Sequence, residues 1–181
     1  MTKMVLDLSI EVGKPMHDLV VEGGEIHVDT KLIEKLRDVL THGLRNAVDH
    51  GIEAPEERPN DKPRRATISV SASWQGDDLV VAVSDDGRGI DLERVRATAV
   101  ERHTLSEEDA ARATDAELLE LLFTPGFSTA RRVTELSGRG VGLDVIRTTM
   151  RELKGDATME STRGEGTTLT LTIPASYYQE L

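Results

Sequence analysis

The chain has 181 residues, 38% of them hydrophobic and 30% charged, with no cysteine and a formal net charge of −11. That length suits one domain with a single core, and the composition is too apolar for a disordered tail and too polar for a membrane protein, so a soluble, cytoplasmic globular domain is expected. Lack of cysteine excludes disulfides, thiolate catalysis and cysteine-ligated metal sites, and an acidic surface repels a phosphate backbone, so nucleic acid is not an expected partner and an anionic ligand must be held by local devices.

Val5 to Val12 alternates apolar and polar residues, and after the turn Gly13-Lys14-Pro15 the run His17 to Glu22 is again short and apolar-rich, which predicts a hairpin. From Asp29, an expected N-cap, apolar residues Leu32, Ile33, Leu36, Val39, Leu40, Leu44, Ala47 and Val48 recur at helical spacing until Gly51 offers a C-terminal stop. Glu53 to Arg65 holds three prolines and many charges, so an exposed loop is expected. Thr67–Ser73 and Leu79–Ser84 predict a second hairpin around Gln75-Gly76-Asp77-Asp78. Asp91–Glu101 and Asp115–Leu122 read as helices, and Thr124–Gly140, rich in Gly, Ser, Thr and Arg, as a segment long enough for a lid. A helix over Val141–Leu153 and strands near Ala157–Ser161 and Thr167–Ile173, turning at Gly164-Glu165-Gly166, complete the chain. Strands grouped as hairpins with helices free to cover one face predict an α+β two-layer sandwich.

Three stretches carry chemistry. In the first helix, His42, Asn46 and His50 lie at intervals of four, within a wedge of about 80° beside the apolar stripe. Asn46 offers a neutral carbonyl oxygen suited to a hard cation already sharing phosphate oxygens, and a neighbouring histidine could add a ligand or accept a proton. A solvated helix edge and a histidine-only zinc site are the competing readings. In Asp85-Asp86-Gly87-Arg88-Gly89, a carboxylate at a strand end precedes two glycines that let backbone approach a ligand; it could accept a hydrogen bond from an exocyclic amine such as adenine's, or belong to an ordinary acidic turn. Gly138, Gly140 and Gly142 stand immediately before a helix, where backbone N–H groups and the dipole favour a phosphate; a glycine hinge is the alternative. The chain's two phenylalanines, Phe123 and Phe127, fall at the lid and are expected to pin it to the core. Neither a dinucleotide fingerprint, a P-loop nor a His-Arg-Asp kinase loop is present.

In chain order, His42-x3-Asn46-x3-His50, Asp85-x-Gly87-x-Gly89, Phe123-x3-Phe127, Gly138-x-Gly140-x-Gly142 and Gly164-x-Gly166-Thr167 resemble the boxes of the GHKL ATP-binding superfamily. More narrowly, RNAVDHGIE, PEER, DDGRGID, LLFTPGFSTA and SGRGVGLDVI are similar to the ATP-binding catalytic domain of CheA-type chemotaxis histidine kinases, from about Val5 to Pro174. The resemblance implies a Bergerat fold, a mixed sheet covered on one face by helices, with ATP under a lid and residues 1–181 forming one domain. It implies that Asp85 binds the adenine amine with Thr167 nearby through water, that Gly87 and Gly89 admit the base, and that Asn46 coordinates Mg²⁺ with His50 as a possible further ligand. Gly138, Gly140 and Gly142 would open onto the triphosphate. His42 sits where most members of the superfamily carry a water-activating glutamate, which favours transfer of the γ-phosphoryl group to a protein histidine over hydrolysis. The implied partners are a separate HPt phosphoacceptor domain and, through domains not in this chain, a chemoreceptor and coupling-protein array. A monomeric module, excised or one half of a split kinase, is expected. An ATP-hydrolysing conformational switch and a non-catalytic nucleotide-binding interaction module are the alternatives. Gly43, where relatives carry a bulky aliphatic residue, costs the helix up to about 1 kcal/mol, and Arg131 and Arg132 stand where relatives place lysine.

Overall fold

A computed structural model describes residues 7, 10, 13, 16–23, 26–127 and 142–180. Strands β1 (Met16–Glu22), β2 (Ala66–Gln75), β3 (Asp78–Asp85), β4 (Asp156–Thr162) and β5 (Gly166–Ile173) form one mixed sheet in the order β1-β2-β3-β5-β4. Helices α1 (Thr30–Asn46), α2 (Leu92–Glu101), α3 (Glu107–Arg112), α4 (Asp115–Leu121) and α5 (Leu143–Glu152) complete the α+β sandwich. Among the described residues no helix is long and apolar enough to cross a membrane.

The helix–sheet interface follows from two periodicities. Leu32, Leu36, Val39, Leu40 and Leu44 recur every three or four residues along α1, and Ile146 and Met150 do so on α5. They meet Ile68, Val70, Val81, Val83, Leu169 and Leu171, which alternate along the three central strands, in one core. Asp29 caps α1 by accepting from the Lys31 amide at 2.7 Å. Gly43 is buried where α1 presses on the sheet: a Cβ there would stand 3.1 Å from Leu169 Cδ2. A second, smaller core joins Val95 and Ala99 of α2 to Leu118 of α4 and to Phe127. Short α3, capped by Ser106, has no counterpart among the elements read from the sequence.

The β2–β3 hairpin forms as expected, with Gln75 opposite Asp78 and Gly76 at φ +61° in the turn. The N-terminal hairpin does not. β1 runs parallel to β2, reached through α1, and Asp7 and Ile10 are helical while the other residues of Val5–Val12 lie outside the described ones. The sequence cue was ambiguous, because Val5, Leu8 and Val12 also sit at spacings of three and four.

The loop expected over Glu53–Arg65 forms and most of it is exposed, but two of its charged residues turn inward. Glu53 and Arg58 are each only 5% exposed. Arg58 pairs with Glu53 Oε2 at 2.7 Å and with Asp86 Oδ2 at 2.8 Å, while Lys62 reaches Glu53 Oε1 at 3.2 Å. Opposite charges so matched go inside together, where singly each is costly. Burial alone pushes the Glu53 carboxyl up, but its own backbone amide, Lys62 and Arg58 outweigh that and hold it below the ordinary value.

Candidate nucleotide site

Of the expected site residues, Asp85, Gly87, Gly89 and Thr167 lie together at one end of the β3–β5 pair, against the turn that follows α1. α1 is regular as far as Asn46, and the chain then underwinds into a π-turn, Ala47–Gly51, closed by the Ile52 amide donating to the Ala47 carbonyl at 2.8 Å. The helix therefore ends at Gly51 as expected, but its last turn is not α, and a constant rotation of roughly 100° per residue no longer fixes where His50 points. His42 and Asn46 are half-buried and His50 is exposed. Burial, reinforced by Arg45 and opposed by Asp38, holds the His42 imidazole below its ordinary 6.5, so it is uncharged at neutral pH and a weaker base than a free imidazole.

Gly51 does more than end a helix. A Cβ there would lie 2.8 Å from Asp85 Oδ1 and 2.9 Å from Oδ2, so the turn rests directly against the Asp85 carboxylate. Asp85 ends β3, opposite Thr167 of β5. Its Oδ1 accepts from the Gly87 amide at 2.9 Å, and the Thr167 amide also faces the carboxylate. Desolvation outweighs these hydrogen bonds and, with the charges of Asp86 and Glu53, raises the Asp85 pKa from its ordinary 3.8 to about 6. A partly buried carboxylate walled by two backbone segments is a hydrogen-bond acceptor awaiting an N–H donor.

The glycines after Asp85 are explained by space in one case and conformation in the other. A Cβ on Gly87 would stand 2.2 Å from the Gly51 carbonyl oxygen and 2.6 Å from Asp85 Oδ1. Gly89 has φ +68°, and the carbonyl of neighbouring Arg88 accepts from the Gly164 amide at 2.7 Å, tying this loop to the β4–β5 turn. Gly87→Ala is accordingly expected to lower unfolding stability by about 1–3 kcal/mol, read from the urea midpoint, because backbone rather than a flexible side chain must yield.

Ser161, which the sequence reading missed, braces the same corner. Its Oγ accepts from the Ile90 amide at 2.8 Å and lies 3.0 Å from both the Gly166 carbonyl oxygen and Thr167 Oγ1. Thr167 is thereby oriented beside Asp85, as expected from the sequence. Gly142 caps α5 with no side-chain hydrogen bond to the first turn, and the Asp144 carboxylate lies beside it, 3.0 Å from where a Gly142 Cβ would stand. Gly138 and Gly140, with Ser128–Val141 as a whole, lie outside the described residues.

The phenylalanines pin as expected, but into different cores. Phe123 is buried in the main core, with the Arg147 guanidinium 4.4 Å from its ring centroid. Arg147 also forks onto Glu120 at 2.5 and 2.8 Å. Phe127 enters the smaller core beneath Arg102.

Residues 32–177 match the family described as histidine kinase-, DNA gyrase B- and HSP90-like ATPases. The chain is 44% identical over 175 residues to chemotaxis protein CheA of Halobacterium salinarum, covering 96% of this chain and 26% of that protein. It is 43% identical over 173 residues to sensor histidine kinase CheAY of Helicobacter pylori, covering 95% and 21%. It is also 43% identical over 175 residues to a gliding motility regulatory protein of Myxococcus xanthus, covering 96% and 22%. The chain thus spans about a quarter of the length of these relatives. Among solved structures, its fold is similar to the histidine kinase domain of the blue-light activated histidine kinase of Erythrobacter litoralis EL346, with a TM-score of 0.54, 15% identity, and coverage of 98% of this chain and 60% of that one. Motif order, sheet topology and these matches agree: the chain belongs to the histidine kinase-, DNA gyrase B- and HSP90-like ATPase family, and within it to the CheA type.

Proposed function

We propose that residues 1–181 form the ATP-binding catalytic domain of a chemotaxis-type kinase, one that transfers the γ-phosphoryl group of ATP to a histidine on a separate HPt domain. The observation that carries this reading is the Asp85 carboxylate, held by the Gly87 amide, walled by Gly51 and flanked by Thr167. Adenine presents an amine donor to such an acceptor, whereas the carbonyl of guanine at the same position would face it lone pair to lone pair. Gly87 and Gly89 would let the base approach backbone, and Gly142, which adds no side-chain cap to α5, would let phosphate oxygens approach its first turn.

Asn46 and, beyond it, exposed His50 would hold Mg²⁺; a half-buried amide oxygen one π-turn from the base site fits a hard cation shared with a triphosphate. Bound there, the ion would neutralise charge on the triphosphate. The transfer itself asks little proton chemistry of the protein. A neutral imidazole nitrogen of the acceptor attacks phosphorus, the bond to the β–γ bridging oxygen breaks, and ADP leaves with the electron pair. Water as nucleophile must lose a proton, and the position one turn before Asn46 carries His42 rather than a carboxylate. His42, uncharged at neutral pH, would orient or accept a hydrogen bond near the phosphates. The remaining partners, a receptor and coupling-protein array, would be engaged by parts of a longer protein.

Calorimetric titration with Mg·ATP, followed by radiolabelled transfer to a panel of HPt domains, tests the proposal. Transfer to at least one HPt domain is expected. Phosphate release without any acceptor would instead favour a conformational-switch ATPase, and binding without transfer a regulatory module.

A further inference from the structure

The loop that carries Asp85 is held from behind by Lys62 and Arg58, and the lysine ammonium grips two successive carbonyls of it. Lys62 Nζ lies 2.7 Å from the Asp86 carbonyl oxygen, 2.6 Å from the Gly87 carbonyl oxygen and 3.2 Å from Glu53 Oε1. Three donors meet three acceptors, the full capacity of a lysine side chain. Arg58 grips the same loop through its side chain, pairing with Asp86 Oδ2 and Glu53, while its Nε donates to the Pro63 carbonyl at 2.6 Å. Asp86 Oδ1 accepts from the Thr67 amide at 2.9 Å.

The two carbonyls that Lys62 holds belong to two successive planar peptide units, and their N–H groups point the opposite way. The unit bearing the Asp86 carbonyl carries the Gly87 N–H, which donates to Asp85 Oδ1 at 2.9 Å. The unit bearing the Gly87 carbonyl carries the Arg88 N–H, which donates to the Gly51 carbonyl at 2.8 Å. Each peptide gripped by its oxygen thus holds, by its N–H, one wall of the base site: the carboxylate itself, and the end of the π-turn that leans on it. A buried charge cluster is a poor source of net stability, but it fixes geometry well.

We infer that Lys62, on the proline-rich loop 53–65, is a positioning residue for nucleobase selection: it sets the plane of the peptides that orient Asp85, and so the preference for a base offering an amine over one offering a carbonyl. This rests on the reading that Asp85 meets the base. Loss of the ammonium frees the peptide bearing the Gly87 carbonyl and leaves the one bearing the Asp86 carbonyl to Arg58 Nη1 alone, at 3.3 Å, and a carboxylate no longer held at one angle accepts equally from the N1–H and amine of guanine.

The test compares binding of Mg·ATP and Mg·GTP to the whole chain and to Lys62→Met, with Asp85→Asn as reference and thermal melts throughout. Lys62→Met is expected to stay folded and to lose about 10-fold of the ATP-over-GTP preference, mainly through weaker ATP binding. Lys62→Gln, which keeps one donor group, is expected to fall between Lys62→Met and the unsubstituted chain, and it decides the question by the same criterion should Lys62→Met not melt cooperatively. A folded variant with a lowered melting temperature but an unchanged ATP-to-GTP ratio overturns the inference, since a purely structural lysine predicts that result. Undiminished ATP binding by Asp85→Asn overturns the underlying reading instead; a loss there combined with an unchanged ratio in the Lys62 variants overturns only the role of Lys62.

Discussion

Asp85→Asn is expected to bind ATP roughly 100-fold more weakly than the unsubstituted chain while unfolding at a higher temperature at pH 8. The binding loss follows from counting acceptors. The carboxylate faces the amides of Gly87 and Thr167 and still has lone pairs for a third donor. An asparagine has one acceptor oxygen, so its NH₂ must face either a backbone N–H or the adenine amine. Losing a charge-assisted hydrogen bond costs about 1.5–3 kcal/mol, or 10- to 100-fold, and the donor–donor contact moves the result to the upper end.

The stability gain follows from the raised pKa. Between pH 3.8 and about 6 the folded protein binds the Asp85 proton more tightly than the unfolded chain does, so stability falls as pH rises through this window. Above about 6 the penalty is fully present and amounts to about 3 kcal/mol at 1.36 kcal/mol per pH unit. Asparagine, always neutral, escapes it, and a net gain of about 1–3 kcal/mol at pH 8 is expected, shrinking toward pH 4. ATP affinity of the unsubstituted chain should also fall below pH 6 as Asp85 protonates. His42 and the nucleotide phosphates titrate nearby, so the informative quantity is the difference between the two chains across pH. Equal affinity of both at pH 8 would refute the adenine assignment, and equal melting temperatures there would refute the desolvation argument. Asp85 would then be a residue that function requires and folding tolerates.

Parts of this site were legible because they are written as contiguous words. Asp85-x-Gly87-x-Gly89 ends a strand whose apolar run is unmistakable and Gly166-Thr167 begins another, but that these two strands pair is a fact of the tertiary fold. The Glu53–Arg58–Lys62–Asp86 cluster was not legible, since charge and proline are the ordinary marks of an exposed loop and only the tertiary fold brings Asp86 to Arg58. Gly51 shows the same limit. Its place after a helix is a sequence fact, but its closeness to Asp85 depends on the π-turn, which no residue type announces. Likewise β1 carries the right pattern for a strand and no mark of its partner, so its pattern alone points to the nearest segment as a hairpin mate, whereas α1 carries the chain across to β2. Gly43 is a poor helix former, yet α1 runs so close to the sheet there that a Cβ would stand 3.1 Å from Leu169 Cδ2, which would have to shift.

Asn46→Ala tests the other half of the site and should leave the fold almost untouched. Asn46 is half-buried, at the last α-helical position before the π-turn, and alanine is the better helix former by several tenths of a kcal/mol. The Ala47 amide keeps its bonds to the Gly43 and Leu44 carbonyls whatever side chain precedes it. Melting temperature is therefore expected to stay within a degree or two of the unsubstituted chain. Phosphoryl transfer is expected to fall by roughly 10³-fold, since losing a metal ligand removes on the order of 4 kcal/mol of charge stabilisation in the transition state. ATP binding without the metal should change little, because Asp85 and the backbone around Gly87 are intact, so the loss falls in the magnesium dependence. Asn46→Asp separates charge from ligand geometry. It retains an oxygen at the same reach and adds a negative charge beside a triphosphate in a chain already at −11, so divalent-cation affinity in the absence of nucleotide should rise while transfer still falls. Transfer to an HPt domain at the unsubstituted rate by either variant would remove Asn46 from the metal site and leave the phosphate end of the pocket to the residues around Gly142.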